Sequence, residues 1–266
     1  MSKDEECREL KPNTIYLMDY RRLLQRIPDN FVDLILTDPP YGINYRNGYT
    51  KHKYQLLRGD DGIDYLDFAQ QSYRVLKQNS HAYFFTRFDR YPYHFQCLTQ
   101  AGFIVKNCLV IEKGSVGGIG DLYGSFANNS EWVIFCHKGR RLFNKTQLLQ
   151  KGRLTKEERD LNRVIYKTRL NNCWFGSDYP KAAWNPSTRD KEGIKHPTVK
   201  NPECLEWLIQ LSSNPGDLIL DPFMGSGSVA LAAKRIRRLF LGSEIDKNYY
   251  QMSIKRLSNI GGEIIY

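Results

Sequence analysis

The sequence lacks the paired cysteines and the long apolar runs that mark several large classes of protein. Its six cysteines are scattered without a CxxC pair, which argues against a disulfide framework and against a zinc site. The longest apolar runs are strand-sized, so a membrane-spanning helix is not expected. The first ten residues, MSKDEECREL, contain no apolar h-region and do not resemble a signal peptide. A reduced, cytoplasmic protein without a metal ion fits these absences.

Positive charge is concentrated in one part of the chain. The net charge is +10, and the segment 138–200 holds 16 Lys or Arg residues against 6 Asp or Glu residues, a surplus of 10. The remainder of the chain is therefore close to neutral. A concentrated basic segment is typical of a nucleic-acid surface, because contacts with phosphates release counterions. A solvated face explains the charge equally well, so charge alone leaves both interpretations open.

Strand and helix patterns alternate on both sides of the basic segment. The predicted strands are 14–17, 32–37, 81–86, 103–111, 131–137, 218–220 and 239–242. The predicted helices are 20–26, 66–76, 93–100, 202–212, 228–238 and 247–257. This alternation predicts an α/β fold, a twisted and mostly parallel sheet with helices on both faces. Residues 1–143 and 194–266 would be two halves of one domain, with a basic insert at 144–193 whose residues 151–172 could form a charged helix.

The strand VDLILT, residues 32–37, ends in an unusual turn, Asp38-Pro39-Pro40-Tyr41. Neither proline can donate to a strand ladder or continue a helix, so the carbonyl groups here are free to face a ligand. A rigid turn capped by Asp38 is the plain structural interpretation. By itself the tetrapeptide does not decide between that interpretation and a functional role.

A glycine loop follows a strand in the C-terminal half, in GDLILDPFMGSGSVALAAKR. The strand leads through Asp221 and Phe223 into Gly225-Ser226-Gly227, and Glu244 ends the next strand. Glycines let backbone amides approach a ligand at a helix N-terminus, and an acid at the next strand tip can bind ribose hydroxyls. The pattern predicts a nucleoside cofactor. Because Gly225-x-Gly227-x-x-Ala230 also matches a dinucleotide fingerprint, NAD stays an alternative.

Together these elements resemble the β-class of DNA amino-methyltransferases, which use S-adenosylmethionine (SAM). That family has, in order, a D/N/S-P-P-Y/F/W tetrapeptide, a target-recognition region and an F-x-G-x-G loop, here residues 38–41, the basic insert and residues 223–227. The segment His196-Pro197-Thr198-Val199-Lys200 is similar to the family's HPTxKP element, with Asn201 in place of the usual proline. The resemblance covers residues 13–143 and 194–258 and implies a Rossmann-like methyltransferase fold with a permuted motif order.

The resemblance implies a role for each residue of the tetrapeptide. Asp38 and the Pro39 carbonyl would accept the two N–H bonds of a flipped base, while Pro40 fixes the backbone and Tyr41 supplies a stacking face. Methylation of an amino group needs no covalent cysteine intermediate. The sequence contains no Pro-Cys dipeptide, which argues against methylation of cytosine C5.

The resemblance also implies contacts with the cofactor and with DNA. The expected cofactor-binding residues are Asp19, Asp38, His196, Thr198, Lys200, Asp221, Phe223, Gly225, Ser226, Gly227 and Glu244. Asp19 would contact the cofactor's adenine or cap a turn. His196 and Thr198 would hold the methionine end of the cofactor, with Lys200 near its carboxylate, or any of these three could instead cap the next helix. The expected DNA-binding residues are Tyr45, Arg46, Lys51, Lys53, Arg140, Arg141, Lys151, Arg153, Arg163 and Arg169, the first four on a loop at 44–61 that could close over the flipped base.

The resemblance implies site-specific transfer of a methyl group from SAM to N6 of a flipped adenine in double-stranded DNA. Within the family, Asp rather than Ser at the first position of the tetrapeptide favours adenine over cytosine N4. The alternatives are methylation of cytosine N4, of RNA or of a protein glutamine, and a DNA-binding module with an inactive methyltransferase fold. A cognate restriction endonuclease and a homodimer are left open as partners. We expect a cytoplasmic, nucleoid-associated protein of bacterial, archaeal or phage origin, without an appended C-terminal DNA-binding domain.

Overall fold

The structure, a computed structural model, describes residues 9–41, 63–114, 124, 126, 128–144, 170–174, 180–182 and 199–258. Its strands are β1 (Thr14–Leu17), β2 (Val32–Thr37), β3 (Leu76–Thr86), β4 (Ile104–Glu112), β5 (Ser130–Lys138), β6 (Cys173–Trp174), β7 (Leu218–Asp221) and β8 (Leu239–Glu244). Its helices are α1 (Tyr20–Arg26), α2 (Tyr65–Val75), α3 (Tyr91–Gln100), α4 (Pro202–Ser212), α5 (Ser228–Arg235) and α6 (Lys247–Ser258). None of these helices has the length and apolar character needed to cross a membrane.

The strands form one sheet in the order β1-β8-β7-β2-β3-β5-β4-β6. Strands β1, β8, β7, β2 and β3 are parallel neighbours, β5 runs antiparallel between β3 and β4, and β6 is parallel to β4. Because β1 pairs with β8, strands from both ends of the chain share a single sheet. The predicted α/β fold with a mostly parallel sheet is confirmed.

Helices cover both faces of the sheet, and the strands bury apolar side chains on each face. In β2, Leu34 and Leu36 belong to one core cluster and Ile35 to the other. The first cluster includes apolar side chains of α4, α5 and α6, and the second includes those of α1, α2 and α3. Burial on both faces explains why β2 reads as a continuous apolar run rather than as an alternating one.

Two element boundaries differ from the predictions for local reasons. Helix α5 ends at Arg235 rather than at residue 238, because Arg237 adopts a positive φ of 61° and the Arg238 N–H donates back to the Ala233 carbonyl. Strand β3 begins at Leu76 rather than at residue 81, and its register with β2 shifts within this extension. The period-2 pattern is therefore missing from the first residues of β3.

Part of the basic insert joins the sheet. Cys173–Trp174 forms β6 beside β4, and Trp174 and Ala182 are buried in the first core cluster. A two-residue strand is too short for a periodicity to predict. Residues 170–172 are not helical, which corrects the end of the predicted helix at 151–172. The remainder of that helix and the predicted loop at 44–61 lie outside the described residues.

The strand order creates a crevice at the carboxyl edge of the sheet. From β2 the chain continues to β3 on one side, whereas from β7 it continues to β8 on the other side. Strands β7 and β2 therefore flank a topological switch point, where open α/β sheets bind their ligands. The residues that follow β2, β7 and β8 are the first candidates for a functional site.

Candidate active site

Asp38 directly follows β2, and two side chains hold its carboxylate. The Tyr41 hydroxyl donates to Asp38 Oδ1, and the Lys200 ammonium lies 3.1 Å from Oδ2. Burial, and then the nearby Asp38 carboxylate, raises the pKa of Tyr41 well above its usual value, so the phenol keeps the proton that it donates. The Asp38 side chain is still 26% exposed, which leaves it accessible to a ligand.

Asp221 is the last residue of the neighbouring strand β7, and it is only 3% exposed. Its Oδ1 accepts hydrogen bonds from the Thr37 hydroxyl at 2.7 Å and from the Phe223 N–H at 3.0 Å. Burial raises the pKa of Asp221 to about 7, although these two hydrogen bonds act in the opposite direction. This carboxyl group therefore titrates near neutral pH.

Glu244 fixes the glycine loop against the end of β8. Its Oε2 accepts the Gly225 N–H and its Oε1 accepts the Asp246 N–H, each at 2.7 Å. Burial raises the pKa of Glu244. An ionised carboxylate has about four acceptor positions, so each oxygen keeps capacity for a further donor such as a ribose hydroxyl.

Two glycines near the loop have no room for a side chain. Gly227 caps α5 with a φ of 80°, and a Cβ atom there would lie 2.8 Å from Ser253 Cβ on α6. At Gly242, inside β8, a Cβ atom would collide with the Asp221 carbonyl oxygen. This close packing holds the loop and the end of β7 in one arrangement.

A cleft with a cavity volume of ≈ 180 Å³ opens between the ends of β2, β7 and β8. The residues predicted to bind a cofactor that line it are Asp19, Asp38, Lys200, Asp221, Phe223, Gly225, Ser226 and Glu244. Phe223 packs against the Tyr20 ring at a centroid distance of 4.7 Å, which fixes an aromatic wall. Acids that can accept from hydroxyl groups beside an aromatic wall suit a nucleoside.

Two of these residues also have structural roles. Asp19 is the N-cap of α1 and accepts the Arg21 N–H at 2.8 Å, so it combines the capping position with a place on the cleft wall. Ser226 is held by the Arg256 guanidinium, which donates to the Ser226 carbonyl at 2.7 Å. Both contacts stiffen the cleft.

A second cavity, of ≈ 130 Å³, adjoins the tetrapeptide. The residues that line it are Pro40, Tyr41, Ile63, Tyr65, Arg90, Tyr93 and His94. The rings of Tyr65 and His94 stack with centroids 3.7 Å apart, and burial lowers the pKa of His94 to about 4. Pro40 and Ile63 also line the cleft, so the tetrapeptide borders both spaces. An aromatic cavity beside a hydrogen-bonding acid is suited to a flat heterocycle.

Several predicted site residues are not brought into this arrangement. Arg140 and Arg141 follow β5 at the opposite edge of the sheet, and Arg141 pairs with Asp217 at 3.6 Å. The remaining predicted residues lie outside the described part of the chain: Tyr45, Arg46, Lys51, Lys53, Lys151, Arg153, Arg163, Arg169, His196 and Thr198.

Two charged residues at the site were missed by the sequence analysis. Glu131 lies 3.0 Å from the Lys200 ammonium, and Lys113 lies 3.2 Å from Glu131. Glu131 is the first residue of the predicted strand 131–137, and in a parallel strand that position would lie at the edge of the sheet opposite the carboxyl ends. Only the antiparallel direction of β5 brings it to the carboxyl edge.

The fold and the site define a class of protein. On a mostly parallel sheet with one antiparallel strand, a cleft lined by acids and an aromatic ring opens beside an Asp-Pro-Pro-Tyr turn, and this arrangement is that of the Rossmann-like methyltransferases. A family model described as DNA methylase, which covers N6 and N4 methyltransferases, matches residues 32–255. The chain belongs to this N6/N4 DNA methylase family, whose members are SAM-dependent DNA methyltransferases.

Relatives and solved structures agree with this family. The DNA adenine methyltransferase YhdJ of Escherichia coli is 31% identical over 244 residues, 88% of this chain and 79% of the relative. The PvuII DNA methyltransferase, described as cytosine-N4-specific, has a TM-score of 0.63 at 20% identity over 97% of this chain and 91% of its own. The structure of the M1.HpyAVI–SAM complex has a TM-score of 0.59 at 23% identity over 91% of this chain and 98% of its own. The last two comparisons show a shared fold.

Proposed function

We propose that this protein is a site-specific DNA adenine N6-methyltransferase that transfers a methyl group from SAM to an adenine flipped out of double-stranded DNA. One observation carries the proposal: the Asp38–Tyr41 turn borders both a cleft lined by acids and an aromatic cavity. A methyl donor in the cleft and a base in the cavity would meet at this turn, where Pro40 lines both spaces and Asp38 lines the cleft. Holding two reactants in this way supplies much of the rate of a group transfer.

The cleft residues fit SAM as the occupant. Glu244 retains acceptor capacity for the ribose hydroxyls, and Asp19 lies on the wall where it could contact the adenine of SAM. Asp221 titrates near neutral pH and could pair with the ammonium group of the methionine part. SAM supplies an activated methyl group when it is bound. We assign Glu244, Asp19 and Asp221 to the binding and orientation of SAM.

Asp38 and its neighbours would act on the amino group of the base. In an adenine the lone pair of N6 is delocalised into the ring, so the nitrogen is a poor nucleophile. Asp38 and the Pro39 carbonyl would each accept a hydrogen bond from one of its two N–H groups. These hydrogen bonds stabilise the positive charge that develops on the nitrogen as it becomes sp³. Tyr41 would stack on the base, a contact worth about 1–3 kcal/mol.

The choice of adenine rests on Asp38 as the first residue of the tetrapeptide and on the similarity to an adenine methyltransferase of Escherichia coli. Cytosine N4 is the second candidate, because the PvuII enzyme with this fold is described as specific for it. Both bases present an amino group to the same turn. The reaction at Asp38 would be the same in either case.

The basic insert is the proposed target-recognition region. It holds 11 Lys or Arg residues against 6 Asp or Glu residues, a surplus of 5 that is half of the net charge. These cations would bind DNA phosphates, whereas base contacts would set the recognition sequence. Residues 1–143 and 194–266 would form the two halves of the methyltransferase domain. A restriction endonuclease that cuts the same sequence is a partner consistent with relatives named type II methyltransferases.

The test is to incubate the purified protein with unmethylated genomic DNA and SAM and to quantify modified nucleosides by mass spectrometry. We expect N6-methyladenine with the unmodified protein and none with Asp38→Ala. N4-methylcytosine would keep the mechanism and correct the base. Bound SAM without any modified nucleoside would support the inactive-fold alternative.

A further inference from the structure

Four side chains of alternating charge form a chain that ends at the catalytic acid. Lys113 Nζ lies 3.2 Å from Glu131 Oε1, Glu131 Oε2 lies 3.0 Å from Lys200 Nζ, and Lys200 Nζ lies 3.1 Å from Asp38 Oδ2. Side-chain exposure is between 11% and 26% along the chain. The four residues come from four separate segments: the ends of β2 and β4, the start of β5 and the residues before α4.

We propose that Glu131 is a positioning residue for methyl transfer, which holds Lys200 so that the Asp38 carboxylate keeps its orientation towards the amino group of the base. This inference rests on the proposed function of Asp38. It assigns a role to a residue on the antiparallel strand β5, outside the tetrapeptide and the glycine loop.

The contacts explain why Lys200 needs a second carboxylate. Burial alone would lower the pKa of Lys200, but the Asp38 and Glu131 carboxylates raise it above its usual value. The Lys200 ammonium also lies 4.7 Å from the centre of the Phe85 ring, on its face. Lys200 is thereby kept as a cation in a fixed place, and Asp38 is held at Oδ2 by Lys200 and at Oδ1 by Tyr41.

Charge balance gives Glu131 a second effect. Positive charge develops on the amino nitrogen during transfer, and an uncompensated ammonium group beside Asp38 would oppose it. Glu131 carries the charge that compensates Lys200. It also shares the ammonium with Asp38, so that the Asp38 carboxylate is not drawn away from the base towards Lys200.

The experiment compares Glu131→Gln with Glu131→Asp and with a matched control, Glu112→Gln. Glu112 lies on the adjacent strand β4, its side-chain exposure is 23% against 20% for Glu131, and it pairs with Lys181 rather than with Lys200. Each full-length variant is assayed for the single-turnover rate of DNA methylation and for its dissociation constants for SAM and DNA. A thermal melt of each variant checks that it is folded.

For Glu131→Gln we expect the single-turnover rate to fall about 10- to 100-fold, the range that a small misplacement of a catalytic group causes. Both dissociation constants should stay within about threefold, because the variant removes orientation rather than binding. Glu131→Asp restores the charge and should recover part of the rate. The alkaline limb of the rate–pH profile should move to lower pH in Glu131→Gln, since Asp38 alone then opposes the effect of burial on Lys200.

Three results would overturn the inference: an unchanged rate in Glu131→Gln, an equal loss in Glu112→Gln, or weaker SAM binding with a normal rate at saturation. The last result would mean that Lys200 binds the carboxylate of SAM rather than positions Asp38. N4-methylcytosine as the product would leave the inference intact and change only the base.

A readout independent of turnover covers the case in which the unmodified protein methylates neither base. Acylation of Lys200 by an amine-reactive reagent at pH 9, measured by peptide mass spectrometry, requires the neutral amine. Glu131→Gln should increase this acylation and Glu112→Gln should not. Equal acylation in all three proteins would overturn the role of Glu131 even if the proposed function has already failed.

Discussion

Two neighbouring strands of the sheet each lead into an Asp-Pro dipeptide, but the two aspartates differ in exposure and in the charge of their partners. Strand β2 is followed by Asp38-Pro39, and β7 ends at Asp221 before Pro222. The Asp38 side chain is 26% exposed and pairs with the Lys200 ammonium, whereas Asp221 is 3% exposed and accepts from a hydroxyl group and a backbone N–H, both neutral. The Thr37 hydroxyl, at the end of β2, is one of those donors.

The difference shows that the sequence around an acid does not set its chemistry. Both acids follow an apolar strand and precede a proline, but their neighbours come from distant parts of the chain. The neighbouring carboxylates raise the pKa of Lys200 against the effect of burial, so Lys200 is positively charged beside Asp38 at neutral pH. Burial raises the pKa of Asp221 to about 7, so this acid can change its charge at working pH. We therefore expect Asp38 to serve the transfer step and Asp221 to serve cofactor binding.

The largest expected effect comes from exchanging each acid for its amide. Asp38→Asn should lower kcat by about 10²–10³-fold, as removal of one group that stabilises a transition state does, with little change in the Kd for SAM. Asp221→Asn should weaken SAM binding by about tenfold and keep most of kcat at saturating SAM. Steady-state kinetics with calorimetry of SAM binding would separate the two. Equal loss of kcat in both variants would remove the distinction between the two acids.

A smaller effect is expected on stability, from the glycine loop that follows Asp221 in the chain. Gly227 and Gly216 both have a positive φ, 80° and 88°, but only a Cβ at Gly227 would meet another atom, Ser253 Cβ at 2.8 Å. Gly227→Ala should therefore lower the free energy of unfolding by about 1–3 kcal/mol more than Gly216→Ala does. Urea denaturation of both variants measures the difference. Equal destabilisation would mean that the backbone conformation, and not the close packing, requires glycine.

An effect of similar size is a pH dependence of stability. The pKa of Asp221 is about 7 when folded and about 3.9 for an exposed Asp, so the folded state binds more protons between these values. The contribution of Asp221 to the free energy of unfolding is therefore most favourable at low pH, falls as the pH rises and levels off above about pH 7.

Asn cannot ionise, and its amide oxygen can still accept from Thr37 and Phe223. Asp221→Asn should therefore gain stability relative to the unmodified protein between pH 5.5 and pH 8, on the order of 1–3 kcal/mol. Urea denaturation at both pH values gives the difference, with the exposed Asp29→Asn as the control. A gain that is the same at both pH values would show that ionisation of Asp221 is not its cause.

Much of the fold could be predicted from local patterns. The apolar runs of β2 and β7, the 3.6-residue spacing in α4 and the Gly227 turn before α5 each determine an element within a few residues. These signals depend on propensity and on burial of a face, which neighbouring residues carry. The start of β3 at Leu76 and the two-residue strand β6 could not be predicted in this way. Each depends on pairing with a strand far along the chain, β2 for β3 and β4 for β6.

The sequence by itself determined the α/β architecture, the Asp38–Tyr41 turn and the glycine loop with Glu244, because each is a contiguous motif with its own stereochemistry. The tertiary structure decided which side chains meet. It buried Asp221 against Thr37, left Asp38 accessible beside Lys200, and brought Glu131 to the carboxyl edge through the antiparallel direction of β5. Charge and burial at a site depend on distances between distant segments, and these distances exist only once the strands have taken their order in the sheet.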